Sequence, residues 1–267
     1  MNKLYMLLKI TEESFVLFYF GSEKKWLVKV ERNKKLHTHL GIIDVDSSIG
    51  MEYGSFLITN KGKKIFLLPP SIYDFVMKSQ RSTQIVYPKD YGYIAARTGL
   101  KSGSKVLEIG TGSAALSTFM ASIVMPEGHV HSFDVNSEFM QIAKKNLSKS
   151  GMDKFVTLSF FESEKISQIT NVDVVVIDLG DPWAFVDLVH PCMKSGSSII
   201  CICPTMNQIE KLATHFLQSG FVDIECSELF LRKIEAREGK TRPSMRMIGH
   251  TTYLGFARKI LKETRLN

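Results

Sequence analysis

The 267-residue chain has few cysteines and no long hydrophobic run. The first ten residues are too short an apolar stretch for the core of a signal peptide, and Lys9 interrupts them. No later stretch reaches the length that a bilayer-spanning helix needs. The sequence therefore predicts a soluble, cytoplasmic protein with no membrane partner. It also contains no internal repeat and no low-complexity segment, and its 44% hydrophobic content is typical of a globular chain.

The cysteines have neither the spacing of a zinc site nor the framework of a secreted, disulfide-rich domain. Cys201 and Cys203 lie in an apolar, strand-like run. We expect mainly buried thiols, with a cross-link between chains as the alternative. His37 and His39 would face the same way on a strand, but no Cys, Asp or Glu nearby has ligand spacing, so no metal is predicted. The four cysteines are Cys192, Cys201, Cys203 and Cys226.

Charge is unevenly distributed along the chain, whose net charge is +7. Lys and Arg outnumber Asp and Glu by 11 to 7 in residues 1–70 and by 10 to 3 in residues 231–267. In residues 71–230 the acidic residues are in excess, 17 against 13. A catalytic middle between two ends that bind a polyanion would have this distribution, and so would a chain with a solvated basic tail.

Two patterns of secondary structure follow one another along the chain. Residues 1–70 hold short strand-like runs separated by turn signals, which predicts a small β-domain. Residues 71–267 alternate strands with helices, which predicts an α/β domain with a mainly parallel sheet and a ligand site at the carboxyl ends of its strands. The strands predicted in this second part span 105–109, 129–134, 155–160, 173–178, 197–203 and 250–257.

The stretch VVVIDLGDPW places a carboxylate at such a strand end. Val174 to Ile177 are β-branched and predict a strand buried on both faces. Asp178 follows directly. A turn closed by Asp181 and Pro182 explains the same residues, because Asp and Pro often end strands for local backbone reasons. The stretch alone therefore does not separate a turn from a functional site.

A glycine-containing loop follows the first strand of the α/β part. Gly110 and Gly112 permit a tight turn and close approach to a ligand, and Asp134 ends the next strand, where it could bind a ribose. This pattern suits several nucleotide-like cofactors. Glu108, two residues before the first glycine, favours a cationic ligand over a pyrophosphate, although it could also be a simple strand-end residue.

Together these features resemble a class I S-adenosylmethionine-dependent methyltransferase, with a Rossmann-like fold. The resemblance rests on E-x-G-x-G, on Asp134, on Glu162 after the third strand, and on Asp-x-x-x-Pro-Trp after the fourth. It implies S-adenosylmethionine as the cofactor, with Asp134 on the ribose hydroxyls, Glu162 on the adenine amino group and Glu108 beside the methionine end. The loop implied to surround the methionine comprises Gly110, Thr111, Gly112, Ser113, Ala114 and Ala115.

Further stretches resemble the tRNA (adenine-N1)-methyltransferase family, which makes 1-methyladenosine in the T-loop of tRNA, at position 58 or at 57 and 58. They are LHTHLGII (36–43), QRSTQIVYPKD (80–90), DLGDPW and RPSMRMIGHTTYLGFARK (242–259). The archaeal and bacterial members are homotetramers, and the eukaryotic enzyme pairs a catalytic with a non-catalytic chain. The resemblance therefore implies methyl transfer to N1 of a tRNA adenosine by a homotetramer.

The resemblance also implies roles for single residues. Asp178 matches the catalytic aspartate that faces the target adenine and borders the cofactor. Tyr87 matches an aromatic residue of the target pocket, and a half-buried packing role is its alternative. Gln84 is a candidate cofactor contact, and His250 is expected to fix the start of a strand. An elongated tRNA also needs a phosphate-binding surface. Its predicted residues are Lys34, Lys35, Arg232, Lys233, Arg237, Lys240, Arg242 and Arg246.

Departures from the family pattern leave alternatives open. Ala114 stands where glycine is common and could crowd the cofactor loop, and Ile202 stands where many members have an aromatic residue beside the target base. Two alternative functions also stay open. A class I methyltransferase acting on another RNA or a small molecule would share the cofactor residues. A non-catalytic RNA-binding subunit is a further alternative, but it would need neither the intact glycine loop nor Asp178.

Overall fold

The computed structural model describes residues 9–21, 23–81 and 83–261. The chain divides into two compact units, Met1–Lys78 and Ser79–Asn267. The first has mainly antiparallel β-structure and the second alternates helices with a mainly parallel sheet. The predicted fold class is thereby confirmed.

The first unit is built on a four-stranded antiparallel sheet with the order β2-β1-β6-β5, beside a separate β3-β4 hairpin. Alternate residues of its strands form the core; Val16 and Phe18 of β1 are buried together with Ile65 and Leu67 of β6. The strands are β1 (Phe15–Gly21), β2 (Lys24–Lys29), β3 (Lys35–Thr38), β4 (Gly41–Asp44), β5 (Phe56–Ile58) and β6 (Lys64–Leu68).

Helix α1 (Ile72–Met77) belongs to the first unit. Its start is fixed by a capping box, in which Ser71 and Asp74 each bind the other's backbone N–H. Phe75 packs edge-to-face on Phe15, with ring centroids 5.6 Å apart, and Lys25 forms an ion pair with Asp74 at 2.9 Å. These contacts join α1 to the first unit, which includes residues up to Lys78.

The second unit has a seven-stranded sheet with the order β12-β15-β11-β10-β7-β8-β9, and all strands run parallel except β15. The short strands β13 and β14 pair separately. The strands are β7 (Lys105–Ile109), β8 (His129–Asp134), β9 (Val156–Phe160), β10 (Val172–Ile177), β11 (Met193–Cys203), β12 (Phe221–Ser227), β13 (Ile234–Glu235), β14 (Arg242–Pro243) and β15 (Tyr253–Lys259).

Helices connect the strands of this sheet. Among the described residues, none is long and apolar enough to span a membrane. The helices are α2 (Pro88–Thr98), α3 (Ala115–Val124), α4 (Ser137–Ser150), α5 (Ser163–Ser167), α6 (Trp183–Val189) and α7 (Met206–Gln218).

The strand order places a crevice where ligands bind in sheets of this kind. From β7 the chain proceeds to β8 and β9 on one side and then crosses to β10 and β11 on the other. The carboxyl ends of β7 and β10 therefore flank a topological switch point. Val174, Val175 and Val176 are fully buried, so both faces of β10 are covered and the strand end is held firmly.

Two local expectations need correction. Strand β12 (Phe221–Ser227) was not predicted, because Asp223 and Glu225 interrupt its apolar pattern; pairing with β15 makes it a strand. The expectation of buried thiols is confirmed for three cysteines and is wrong for Cys226, which is exposed on β12.

Candidate active site

The loop after β7 packs against the end of β10, backbone to backbone. The Asp178 N–H donates to the Ile109 carbonyl at 2.8 Å, and Gly110 has a φ of +99°. A methyl group on Gly110 would stand 2.1 Å from the Asp178 carbonyl oxygen. Only glycine fits this position, because both the backbone angle and the space exclude a side chain.

Asp134, at the end of β8, holds two turns at once. One carboxylate oxygen accepts from the Gly112 N–H at 2.8 Å and the other from the Asn136 N–H at 2.9 Å. The Asn136 side chain in turn caps α4. A carboxylate has about four acceptor positions, so Asp134 keeps capacity for ligand hydroxyls.

Glu108 is buried in β7 and accepts hydrogen bonds from the hydroxyls of Ser117 and Ser132. Burial raises the pKa of Glu108 to about 7 despite these two hydrogen bonds, which lower it; the charges of Asp178 and Asp134 raise it further. A positively charged ligand would reduce the free-energy cost of ionising the buried Glu108, because an opposite charge favours the ionised carboxylate.

A cavity of about 290 Å³ lies against these groups. Its wall combines the glycine loop with the residues that follow β8 and β10 and with segment 83–86. Three carboxylates from three strands converge on it, which suits a cation and opposes a pyrophosphate. The predicted cofactor residues that line it are Gln84, Glu108, Gly110, Thr111, Gly112, Ser113, Ala115, Asp134 and Asp178.

Two predicted cofactor residues do not line this cavity. Ala114 is fully buried at the start of α3 with a φ of +59° and does not line the cavity. The slight crowding of the glycine loop by its methyl group stays a prediction. Glu162 is exposed, forms an ion pair with Lys165 at 2.8 Å and lines neither described cavity. Its role as an adenine contact stays a prediction without support from the geometry.

A second cavity, of about 320 Å³, shares part of its wall with the first. Asp178 and Gln84 line both cavities, whereas Tyr87 and Ile202 line only the second. The second cavity is mainly apolar, with Pro204, Ile85, Val86 and Leu179 also in its wall. The two predicted catalytic residues, Asp178 and Tyr87, are thus brought to one cavity.

Asp178 is half-buried at the boundary of the two cavities. Burial raises the pKa of Asp178 to about 7, and the negative charge of Asp134 adds to the rise. A pKa near neutrality is common for carboxylates that take part in a reaction, because the same low-dielectric surroundings strengthen their electrostatic effect on a substrate.

Asn146, on α4, holds Gln80 beside the glycine loop and was not among the site residues predicted from the sequence. Its side-chain N–H groups donate to the carbonyls of Gln80 and Ser113, both at 2.9 Å, and its oxygen accepts from the Gln80 N–H at 3.1 Å. The signal was present, because Asn146 lies beside Ala143 and Leu147 on the buried face of the helix, where a polar residue needs partners.

His250 connects the segment before β15 to the wall of the second cavity. Its Nε2 lies 2.9 Å from the Pro204 carbonyl oxygen and its Nδ1 lies 2.6 Å from a carboxylate oxygen of Glu228. Both partners are acceptors, so the ring carries both protons. The Glu228 carboxylate accordingly raises the pKa of His250. This geometry agrees with the expected role in fixing a strand start.

The predicted tRNA-binding residues fall into two groups. Lys34 and Lys35 are engaged in ion pairs with Glu31 at 2.8 Å and Asp44 at 3.5 Å, and Arg242 lies 3.5 Å from Glu235. The others are exposed and form no ion pair with any described residue. These are Arg232, Lys233, Arg237, Lys240 and Arg246.

Comparison with known proteins identifies relatives along most of the chain. The model of a family described as the tRNA methyltransferase complex GCD14 subunit matches residues 64–242. The tRNA (adenine(57)-N(1)/adenine(58)-N(1))-methyltransferase TrmI of Methanocaldococcus jannaschii is 33% identical over 88% of this chain and 91% of its own length. The tRNA (adenine(58)-N(1))-methyltransferase TrmI of Thermus thermophilus is 24% identical over 86% and 91%.

Two solved structures are similar over nearly their whole length. A structure from Thermotoga maritima, described as an S-adenosylmethionine-dependent O-methyltransferase, has a TM-score of 0.90 and 34% identity and covers 98% of this chain and 97% of its own. The tRNA (m1A58) methyltransferase TrmI from Aquifex aeolicus has a TM-score of 0.82 and 30% identity, with coverage of 96% and 100%.

Proposed function

The chain belongs to the family of the tRNA methyltransferase complex GCD14 subunit, and we propose that it transfers a methyl group from S-adenosylmethionine to N1 of an adenosine in the T-loop of tRNA. The target is position 58, or positions 57 and 58. One observation carries the proposal: a carboxylate, Asp178, stands at the shared wall of two cavities, one suited to a cationic cofactor and one mainly apolar.

The residues of the first cavity fit S-adenosylmethionine. The glycine loop packs so closely on the end of β10 that position 110 has no room for a side chain. Asp134 keeps acceptor positions for the hydroxyl groups of a ligand. Glu108 and Asp178 are carboxylates that a positive charge would stabilise. S-adenosylmethionine supplies a methyl group on a positively charged sulfur.

Asp178 would act on the adenine rather than on the methyl group. As N1 gains the methyl, the base becomes positively charged, and its exocyclic amino group becomes a stronger hydrogen-bond donor. A carboxylate that accepts from this amino group stabilises the transition state more than the ground state. Tyr87 and Ile202 would bound the splayed base, which must leave the tRNA structure to reach the cavity.

A methyltransferase of this family is favoured over a subunit that only binds RNA. Such a subunit has no need of a carboxylate at the boundary of two cavities or of a glycine loop that packs on it. Relatives with 26% identity from Dictyostelium discoideum and 28% from Candida albicans carry names that describe catalytic subunits.

The proposed partners are tRNA and further copies of this chain, in the cytoplasm. Apolar side chains are exposed around β13 and β14, as expected of a face covered in a homotetramer. They are Phe230, Leu231, Ile234, Met245, Met247 and Ile248. Light scattering of the purified protein measures the assembly directly.

The activity is tested by incubating the protein with an unmodified tRNA transcript and methyl-labelled S-adenosylmethionine, then mapping labelled nucleosides by mass spectrometry. We expect 1-methyladenosine in the T-loop fragment, whose mass also distinguishes one methylated position from two. A transcript with guanosine at position 58 is the matched control and should lose the label at that position. An O-methylated nucleoside, or label outside the T-loop, would contradict the proposal.

The reaction should depend on pH through the ionisation of Asp178. Because the carboxylate is the active form and its pKa is about 7, kcat/KM for S-adenosylmethionine should rise at least about tenfold per pH unit well below that value and level off above it. The midpoint for kcat should lie at lower pH, since the bound sulfonium favours the carboxylate. Rates between pH 5.5 and 9 check this.

Glu108 titrates in the same range, so a variant must separate the two groups. Glu108→Gln removes one ionisation while keeping the size of the side chain. We expect this variant to bind the cofactor more weakly and still to show the rise of kcat with pH. A kcat that no longer changes with pH in this variant would assign the ionisation to Glu108 instead.

A further inference from the structure

The outer face of the main sheet of the first unit carries aromatic residues. Tyr19, Phe66 and Phe56 pair directly across β1, β6 and β5, so their side chains share one face. Phe56 is 41% exposed and Phe66 is 42% exposed, and their ring centroids are 6.3 Å apart. The neighbouring residues on the opposite face, Ile65 and Leu67, are buried in the core. An antiparallel sheet with one covered face normally carries polar residues on the other.

Three lysines border this aromatic row. Lys61 and Lys63 lie between β5 and β6, and Lys64 begins β6 opposite Ile58, which is 59% exposed. The Lys64 ammonium lies 4.3 Å from the centroid of the Phe56 ring. All three lysines are exposed, and none forms an ion pair within the described part of the chain. Their charge is therefore available to a partner.

This combination selects a partner that is both anionic and aromatic. Exposed apolar patches mark interaction surfaces, and unpaired nucleic acid binds where aromatic rings stack its bases and cations contact its phosphates. A second copy of this chain, whose net charge is +7, complements a lysine-rich face less well than a polyanion does. An RNA substrate supplies the complementary charge and the ring faces together.

We propose that Tyr19, Phe56 and Phe66, with Lys61, Lys63 and Lys64, bind unpaired nucleotides of the tRNA other than the target adenosine. The inference rests on the proposed function, which makes tRNA the substrate. Phe56 and Phe66 stack on bases, and the lysines contact phosphates. This surface takes the place of Lys34 and Lys35, which are held in ion pairs with Glu31 and Asp44.

Two variants of the full chain separate stacking from charge. Phe56→Ala/Phe66→Ala should weaken tRNA binding about tenfold or more, because base stacking on an aromatic ring is worth that much per base, and should leave the salt dependence unchanged. Replacing the three lysines by alanine should weaken the salt dependence of tRNA binding. The slope of log affinity against log salt is negative, and its magnitude should fall by about 2, since each phosphate contact contributes roughly 0.7. The kcat at saturating tRNA should stay unchanged in both.

Controls guard against a loss of structure. Phe56→Leu/Phe66→Leu keeps the apolar surface but removes the ring faces, and it should weaken binding like the alanine variant. Leu217→Ala, at a 72% exposed position on α7, is the matched control and should bind tRNA normally. Thermal unfolding checks the fold of each variant.

The outcomes distinguish this contact from the proposed function. If the wild type methylates tRNA and the tRNA affinities of both surface variants lie within twofold of the wild-type affinity, the proposed contact is wrong and the proposed function stands. A phenylalanine variant that binds tRNA normally but changes mass in light scattering would assign the face to an interface between copies. A wild type that neither binds nor methylates tRNA would remove the function and the contact together.

Discussion

Asp178→Ala is expected to lower the single-turnover rate of methyl transfer by about 10²- to 10³-fold at saturating cofactor, the effect typical of removing one preorganised group from a developing charge. The affinity for tRNA should change by only a few-fold, because phosphate contacts supply most of it. The carboxylate lies at the boundary of both cavities, and water that fills the space left by alanine carries no charge to replace it. Quenched-flow measurement with labelled S-adenosylmethionine gives the rate.

Asp178→Asn is the matched variant, since it retains the size and one acceptor oxygen but not the charge. If charge stabilisation is the main contribution, the single-turnover rate of this variant should be nearly as low as that of the alanine variant. If the hydrogen bond alone matters, the asparagine variant should keep most of the wild-type rate. Its free energy of unfolding should not fall at pH 8, because it removes a charge from partly buried surroundings. A near-normal rate in Asp178→Ala would remove the residue from the mechanism.

Gly110→Ala is expected to abolish cofactor binding and to lower the free energy of unfolding by roughly 2–5 kcal/mol, from overpacking and backbone strain together. The added methyl group would meet the Asp178 carbonyl oxygen at 2.1 Å and its carbon at 2.8 Å. Both are backbone atoms and cannot rotate away. Relief requires the glycine loop or the end of β10 to move, and either movement displaces Asp178. Urea unfolding and calorimetric titration with S-adenosylmethionine measure the two effects.

Gly92→Ala is the control for this substitution. Gly92 lies within α2, where an added methyl group meets nothing within 4 Å. It should stabilise the protein by about 0.5–1 kcal/mol, because alanine is the better helix former. A Gly110→Ala protein that unfolds like the wild type and binds the cofactor would show that the loop moves without cost, contrary to the packing described above.

The strands around the site could be predicted because their signals are local. Four β-branched residues in succession predicted β10, and the glycines after β7 predicted a tight turn; the structure has both. The alternation of strands and helices similarly predicted a mainly parallel sheet. Strand β12 could not be predicted in this way, because its acidic residues conceal it and its pairing with β15 joins parts of the chain more than 25 residues apart.

Individual contacts were less predictable than elements. Glu162 follows β9, as the resemblance required, but its side chain forms an ion pair with Lys165 rather than lining a cavity. Lys34 and Lys35 add to the basic count of the first unit, yet both form ion pairs with neighbouring carboxylates. Residue type alone does not reveal such pairs, because they depend on rotamers and on side chains brought together by turns.

The sequence by itself determined the alternation of strands and helices, the tight turn after β7 and the carboxylate at the end of β10, because periodicity, glycine and β-branched residues act over a few neighbours. Tertiary structure alone decided that Glu108, Asp134 and Asp178 converge from three strand ends, that Asn146 ties Gln80 to the glycine loop, and that an aromatic row faces outward beside exposed lysines. These arrangements join residues far apart in the chain. Their energies arise only when packing excludes water and brings the groups within contact distance.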